Sequence, residues 1–169
     1  MHASIVVTVL AADRPGLVRT LSETIAARGG SWQESRMARL AGQFAGILRV
    51  ECPAAQAGAL LASLKELESE GIAVQARIEE AAPATARETL ALDIVGNDRP
   101  GIIRALSAAI AGAGGNVEDL STSLESAPMS GHPIFHAIGR VSLPVEGELA
   151  ALIAAIENLG PDLSVSVER

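Results

Sequence analysis

The sequence predicts an α+β fold of two βαββαβ units, each a four-stranded antiparallel sheet with two helices on one face. Two observations carry this: three sequence blocks recur in the same order, and β-branched runs alternate with helical spacing inside each copy. Asp13 to Gly30 reads DRPGLVRTLSETIAARGG and Asp98 to Gly115 reads DRPGIIRALSAAIAGAGG, identical at 11 of 18 positions with an offset of 85. FAGILRVECP (Phe44 to Pro53) returns as FHAIGRVSLP (Phe135 to Pro144) at an offset of 91. Leu60, Leu64, Leu67 and Gly71 fall on Leu149, Ile153, Ile156 and Gly160 at an offset of 89. The six-residue gain lies around SAPMSGHP (Ser126 to Pro133), whose Pro, Gly and Ser mark a loop. The chain therefore reads as a duplicated unit at residues 1–80 and 88–169, joined by a linker at 81–87 that holds Pro83 and no apolar periodicity.

Each unit opens with a short apolar strand, Ile5 to Leu10 or Leu90 to Val95, ending at a turn signal. Leu17, Val18, Leu21 and Ile25 then recur at helical spacing, as do Ile102, Ile103, Leu106 and Ile110. Both helices stop at a glycine pair, Gly29-Gly30 and Gly114-Gly115, suited to a left-handed C-cap. Trp32 to Leu40 and Val117 to Leu124 read as second strands, and the blocks from Phe44 and Phe135 as third strands. Leu60, Leu61, Leu64 and Leu67 stripe the second helix of one unit; Leu149, Leu152, Ile153, Ile156 and Leu159 stripe that of the other. Val74, Ala76 and Ile78, like Leu163, Val165 and Val167, alternate with polar residues and close the sheets. Units of this size are small for independent stability, so the two copies are expected to pack together.

Composition narrows the function. Thirteen basic residues face 20 acidic ones, for a net charge of -7, and no basic run concentrates them, so direct nucleic-acid binding is not expected. Two Phe, one Trp and no Tyr leave little for base stacking. Cys52 is alone, which excludes a disulfide framework and a thiolate zinc site. The N-terminus has no basic leader, and no stretch approaches the ~20 apolar residues of a membrane span. A soluble cytoplasmic protein with no membrane association is expected. His132 and His136 are four apart but flank Pro133 and lack a third ligand, so no metal is expected. No nucleophile elbow and no phosphate loop occur, so neither catalysis nor a cofactor is expected. Trp32 and Cys52 read as packed side chains, and Glu66, Glu68 and Glu70 as a solvated helix end.

The duplicated DRPG lies where the first strand hands over to the first helix. Asp there can cap the helix, Pro is tolerated in its first turn, and Gly leaves the backbone open to close approach. Free N–H groups and the positive helix end attract a carboxylate, while a nearby Asp can hold an ammonium. One turn thus offers partners to both ends of an amino acid. A lone copy would read rather as a plain helix start; two copies at one topological position favour a ligand.

With ADRPGLV (Ala12 to Val18), NDRPGII (Asn97 to Ile103) and GGNVEDL (Gly114 to Leu120), the sequence resembles the ACT family of small-molecule-sensing domains, in tandem. The likeness covers nearly the whole chain and implies ferredoxin-like ACT-type units. Within that family it is similar to the two-unit glycine cleavage system transcriptional repressors, which lack a catalytic domain. The resemblance implies a ligand loop of Asp13, Arg14, Pro15, Gly16 and Leu17, with Asn97, Asp98, Arg99, Pro100, Gly101 and Ile102 in the copy. It also implies that Asn116, at the start of the second strand, braces that loop. The first repeat has Ser31 at the Asn116 position and Ala12 at that of Asn97, so the second repeat is the better ligand site. The implied protein is a non-catalytic amino-acid-sensing regulator and homo-oligomer. It would act on transcription of glycine cleavage-type amino-acid metabolism through a DNA-binding protein partner. The alternative is a regulatory subunit of an amino-acid biosynthetic enzyme. A hydrolase on the same architecture is not supported, because no Arg/Asn pair lies in a suitable loop.

Overall fold

A computed structural model describes residues 1–80, 86–128, 131–144 and 149–168. The chain divides into two compact units, Met1–Ala82 and Pro83–Arg169. In the first, β1 (His2–Ala12), α1 (Leu17–Ala26), β2 (Ser31–Leu40), β3 (Gln43–Pro53), α2 (Ala57–Glu66) and β4 (Ile72–Ile78) follow in order. In the second, β5 (Arg87–Asn97), α3 (Ile102–Gly112), β6 (Asn116–Ser126), β7 (Pro133–Pro144), α4 (Leu149–Glu157) and β8 (Ser164–Glu168) repeat that order. The sheets run β2-β3-β1-β4 and β6-β7-β5-β8, with every neighbouring pair antiparallel. Each unit is therefore the expected βαββαβ, a four-stranded antiparallel sheet with two helices.

Alternation builds each core. Ile5, Val7, Val9 and Ala11 are buried while their neighbours along β1 are not, and they join Leu17, Leu21, Ile25, Leu60 and Leu64 from the helices. Leu90, Leu92 and Ile94 do the same with Ile102, Leu106, Ile110, Leu152 and Ile156. Within each unit the helices cover one face of the sheet. Cys52 is buried in the first core, where burial pushes its thiol above the ordinary range, and half-buried Trp32 packs against that core. Glu66, Glu68 and Glu70 are exposed. Among the described residues, no helix is long and apolar enough to cross a membrane.

The strands outrun the apolar runs that announce them. β1 pairs with β3 from His2 opposite Pro53 to Ala12 opposite Gln43, because ladder hydrogen bonds carry polar ends as well as apolar middles. For the same reason Arg87, expected in the linker, opens β5; its guanidinium donates to the Ser142 hydroxyl at 3.0 Å and to the carbonyl oxygens of Ser142 and Gly114 at 2.9 and 2.8 Å. Of the rest of the expected linker, residues 81–85 lie outside the described residues.

One feature escaped the sequence reading. β2 and β6 each hold an extra residue, Gln33 and Glu118, where the register shifts. Without it Glu34 would share the inward face of Trp32; the bulge turns Glu34 outward to Arg49 at 3.5 Å. Asp119 turns likewise to Arg140 at 2.6 Å.

The glycine pairs end α1 and α3 as expected. Gly29 and Gly114 take φ of 67° and 74°, and Gly30 and Gly115 donate back to the carbonyls of Ile25 and Ile110, each at 2.9 Å. The second glycine of each pair is tightly packed. A Cβ on Gly30 would stand 2.6 Å from Ile25 Cγ2 and 2.8 Å from Ile25 O. Gly30→Ala is therefore expected to cost about 1–3 kcal/mol, the usual range for overpacking, as a lower urea midpoint at unchanged slope.

Candidate functional site

The loops between β1 and α1 and between β5 and α3 are built by the same dipeptide. Proline presets φ for the second position of a type II turn, and glycine supplies the positive φ of the third. Gly16 lies at φ 92°, ψ −1° and Gly101 at φ 82°, ψ 8°, and the Ile102 N–H closes the second turn on the Arg99 carbonyl at 3.2 Å. These glycines, not the aspartates, are the N-caps, and neither helix has a side-chain cap. The expectation that Asp13 and Asp98 cap is thus corrected: the Pro-Gly turn places them one turn too early. A Cβ on Gly16 or Gly101 would meet nothing within 4 Å. The backbone there is open.

Both loops hang from the neighbouring strand connection. The Asp13 N–H donates to Gly42 O at 2.9 Å and the Asp98 N–H to Pro133 O at 3.0 Å. Asp13, Pro15, Gly16, Asn97, Asp98, Pro100 and Gly101 are exposed. Leu17 and Ile102 are buried core residues that can offer a ligand only their backbone.

The arginines do something the sequence reading did not foresee. Arg14 donates to Glu70 O at 2.7 Å and Arg99 to Leu159 O at 2.6 Å, the carbonyls just before Gly71 and Gly160. Each DRPG arginine thus ties its loop to the end of the second helical segment of its own unit. The signal was present in the repeat, since both arginines and both glycines recur, but only the fold brings them together. Gly160 lies against this contact: a Cβ there would stand 2.8 Å from Asp162 Oδ1 and 2.9 Å from the Arg99 guanidinium, so those side chains would have to shift.

In the second unit Asp162 completes this clamp, accepting from the Asn97 N–H at 2.8 Å and from Arg99 at 3.3 Å. The backbone hydrogen bonds from Asn97 and from its own N–H, with the nearby Arg99 charge, hold its carboxyl below the ordinary value. A carboxylate so depressed stabilises the fold above its unfolded pKa of about 3.9, and that stabilisation is lost as pH falls through the folded value. Asp162→Asn is expected to flatten the acid limb of stability below pH 4 and leave the alkaline side unchanged, as measured by urea midpoints across pH.

The two aspartates differ in their surroundings. Asp13 lies 3.4 Å from Arg39, whose place in the second unit is taken by Leu124. Among the described residues, the Asp98 carboxylate has no hydrogen-bond or ion-pair partner. Asn116 is not brought to the loop of its own unit. It opens β6 opposite Ser142, which faces Thr89 across β7, and Thr89 lies eight residues before Asn97. At ~3.3 Å per residue this is about 26 Å, the far end of the sheet, so Asn116 does not brace its own loop.

His136 Nδ1 lies 3.9 Å from Glu125. His136 also bonds Asp93 at 2.9 Å, and among the described residues no three His, Cys, Asp or Glu side chains could hold a metal ion.

Residues 3–78 match the family model of the ACT domain. No curated protein matches the chain. Among solved structures, 99% of the chain superposes on 98% of a protein of unknown function from Galdieria sulphuraria, with 27% identity and a TM-score of 0.81. All of the chain superposes on 99% of a candidate glycine cleavage system transcriptional repressor, with a TM-score of 0.71 and 15% identity, a likeness of fold. The duplicated topology and the family match agree: residues 3–78 carry an ACT domain and the second unit repeats its strand order, so the chain is built of two ACT-like units.

Proposed function

We propose that the chain is a non-catalytic, cytoplasmic amino-acid sensor whose second unit holds the ligand at Asp98 to Ile102. The observation that carries this is the Asp98 carboxylate, without a partner among the described residues, three residues before a helix N-terminus that no side chain caps. The carboxylate would hold the ligand's ammonium. The first-turn N–H groups and the positive helix end would hold its carboxylate. The open space over Gly101 admits the main chain of the ligand. In the first unit the positive charge of Arg39 beside Asp13 opposes an ammonium.

The downstream step is transcriptional control of glycine cleavage-type metabolism through a DNA-binding protein partner. Support comes from the full-length likeness in fold to the candidate repressor and from a net charge of -7, which disfavours direct DNA contact.

A thermal-shift screen of the common amino acids, glycine included, tests the ligand. At 100 times Kd a ligand adds about 2.7 kcal/mol, which is worth more than ~5 °C in a unit of this size. No shift from any amino acid would sink the sensor. Affinity capture from the native cell tests the partner: recovery of a biosynthetic enzyme in place of a DNA-binding protein would reassign the chain as a regulatory subunit.

A further inference from the structure

We propose that Leu124 sets the selectivity of the second ligand loop, so that the amino acid held there carries an aliphatic side chain. This rests on the site at Asp98 to Ile102 and names the class of ligand it takes. The repeat supplies the geometry. Leu124 faces Phe135 on β7 as Arg39 faces Phe44 on β3. Each loop hangs from the residue two before that phenylalanine, Asp13 from Gly42 and Asp98 from Pro133. From its place on β2, Arg39 reaches the Asp13 carboxylate at 3.4 Å. The matching place on β6 therefore stands within one long side chain of the Asp98 carboxylate. There the chain has leucine.

Leucine leaves that reach unfilled. The arginine chain runs three bonds further than that of leucine, which opens roughly 4 Å between the Leu124 methyl groups and the carboxylate. A ligand whose ammonium sits on Asp98 has its Cα in that space and its side chain against the methyl groups. The surroundings are apolar as well. Leu120 and Leu124 lie on one face of β6 and are 44% and 61% exposed, where the first unit has Ser35 and Arg39. Thr122, between them on that face, carries no charge. Ile103, in the first turn of α3 beside the N–H groups offered to the ligand carboxylate, is 40% exposed.

An aliphatic side chain laid here takes apolar surface of ligand and protein out of water together. A charged side chain would lose solvation against leucine methyl groups and gain no partner. Glycine makes no such contact. The first loop shows the opposite device, an arginine that fills the space and opposes the ammonium. The chain would thus couple the supply of an aliphatic amino acid to the metabolism controlled downstream.

Titration calorimetry on the full chain with leucine, valine, glycine, lysine and aspartate reads the selectivity. The tighter of leucine and valine is expected to bind about 10–30-fold more tightly than glycine, since a fully buried methylene is worth roughly fourfold and part of the side chain stays in water. Lysine and aspartate should bind more weakly than either aliphatic amino acid. Leu124→Ala should erase most of the margin over glycine at unchanged glycine affinity. Leu124→Glu should reverse the order, with lysine binding more tightly than leucine. Because Leu124 is exposed, both variants should fold, and circular dichroism checks this. The series on the unaltered chain decides without either variant. Glycine or lysine binding as tightly as leucine and valine overturns the selectivity and leaves the sensor standing. So does an aliphatic preference that survives both substitutions. Heat from none of the five, with no amino acid shifting the melting temperature, is the failure of the sensor itself, and the selectivity falls with it.

Discussion

Asp98→Asn is expected to weaken amino-acid binding by ten- to a hundredfold, with no change in stability beyond about 0.5 kcal/mol. A hydrogen bond to a charged group is worth roughly 1.5–3 kcal/mol, and 1.4 kcal/mol is tenfold in Kd. The substitution keeps the shape of the side chain and removes the charge that faces the ammonium. Its stability should hold because among the described residues the Asp98 carboxylate bonds nothing, and the turn is closed by Ile102 and Arg99 backbone atoms. Asp13→Asn should leave the affinity unchanged, since Arg39 already faces that carboxylate. Titration calorimetry on the three chains decides the matter: equal loss from both variants would make the loops equivalent, and no loss from either would place the ligand elsewhere. Gly101→Asn is the companion variant. Asparagine tolerates the φ of 82° that Gly101 requires, whereas valine would strain the turn and confuse folding with binding.

The fold was legible because it is written twice. A single Pro-Gly or Gly-Gly is weak evidence, but Gly29 and Gly114 fall at matching helix ends and both adopt the left-handed conformation. The same repetition that exposed the elements concealed their limits. Strand ends such as His2 and Asn97 are polar and are fixed by pairing with Pro53 and Ile134, which no local pattern records. The bulges at Gln33 and Glu118 escaped for a related reason. A one-residue shift leaves the composition of a strand intact and shows only in which partner each side chain meets.

The site was legible at its turn and opaque around it. Pro100-Gly101 specifies a turn by local sterics alone, so its place was readable. Capping by Asp98 was not, because the positive φ of Gly101 moves the helix start to Ile102. The Arg99 clamp depends on Leu159 and Asp162, some 60 residues away, and Asp162 has no acidic repeat mate to betray it. Asn116 shows the opposite hazard. A position matched by resemblance carried a role that the strand register, placing it opposite Ser142, does not allow within its own unit.

Leu21→Ala is expected to cost about 2–5 kcal/mol and to lower the melting temperature of the first unit by roughly 10 °C or more. Leu21 is fully buried on the inward stripe of α1, in the core that also holds Ile5, Leu48, Leu60 and Leu64. Truncation removes three methyl or methylene-class carbons from a packed interior and leaves a cavity that the rigid sheet cannot collapse to fill. Small domains hold only about 5–15 kcal/mol in total, so one such loss is a large fraction of the margin. The chain provides its own reporter, because its one tryptophan, Trp32, packs against this same core. Urea unfolding followed by tryptophan fluorescence should therefore show the Leu21→Ala midpoint falling directly. The matching truncation, Leu106→Ala, strikes a core that contains no tryptophan and should be read by circular dichroism. A fluorescence midpoint unmoved by Leu21→Ala would mean that α1 does not pack on the sheet through this stripe.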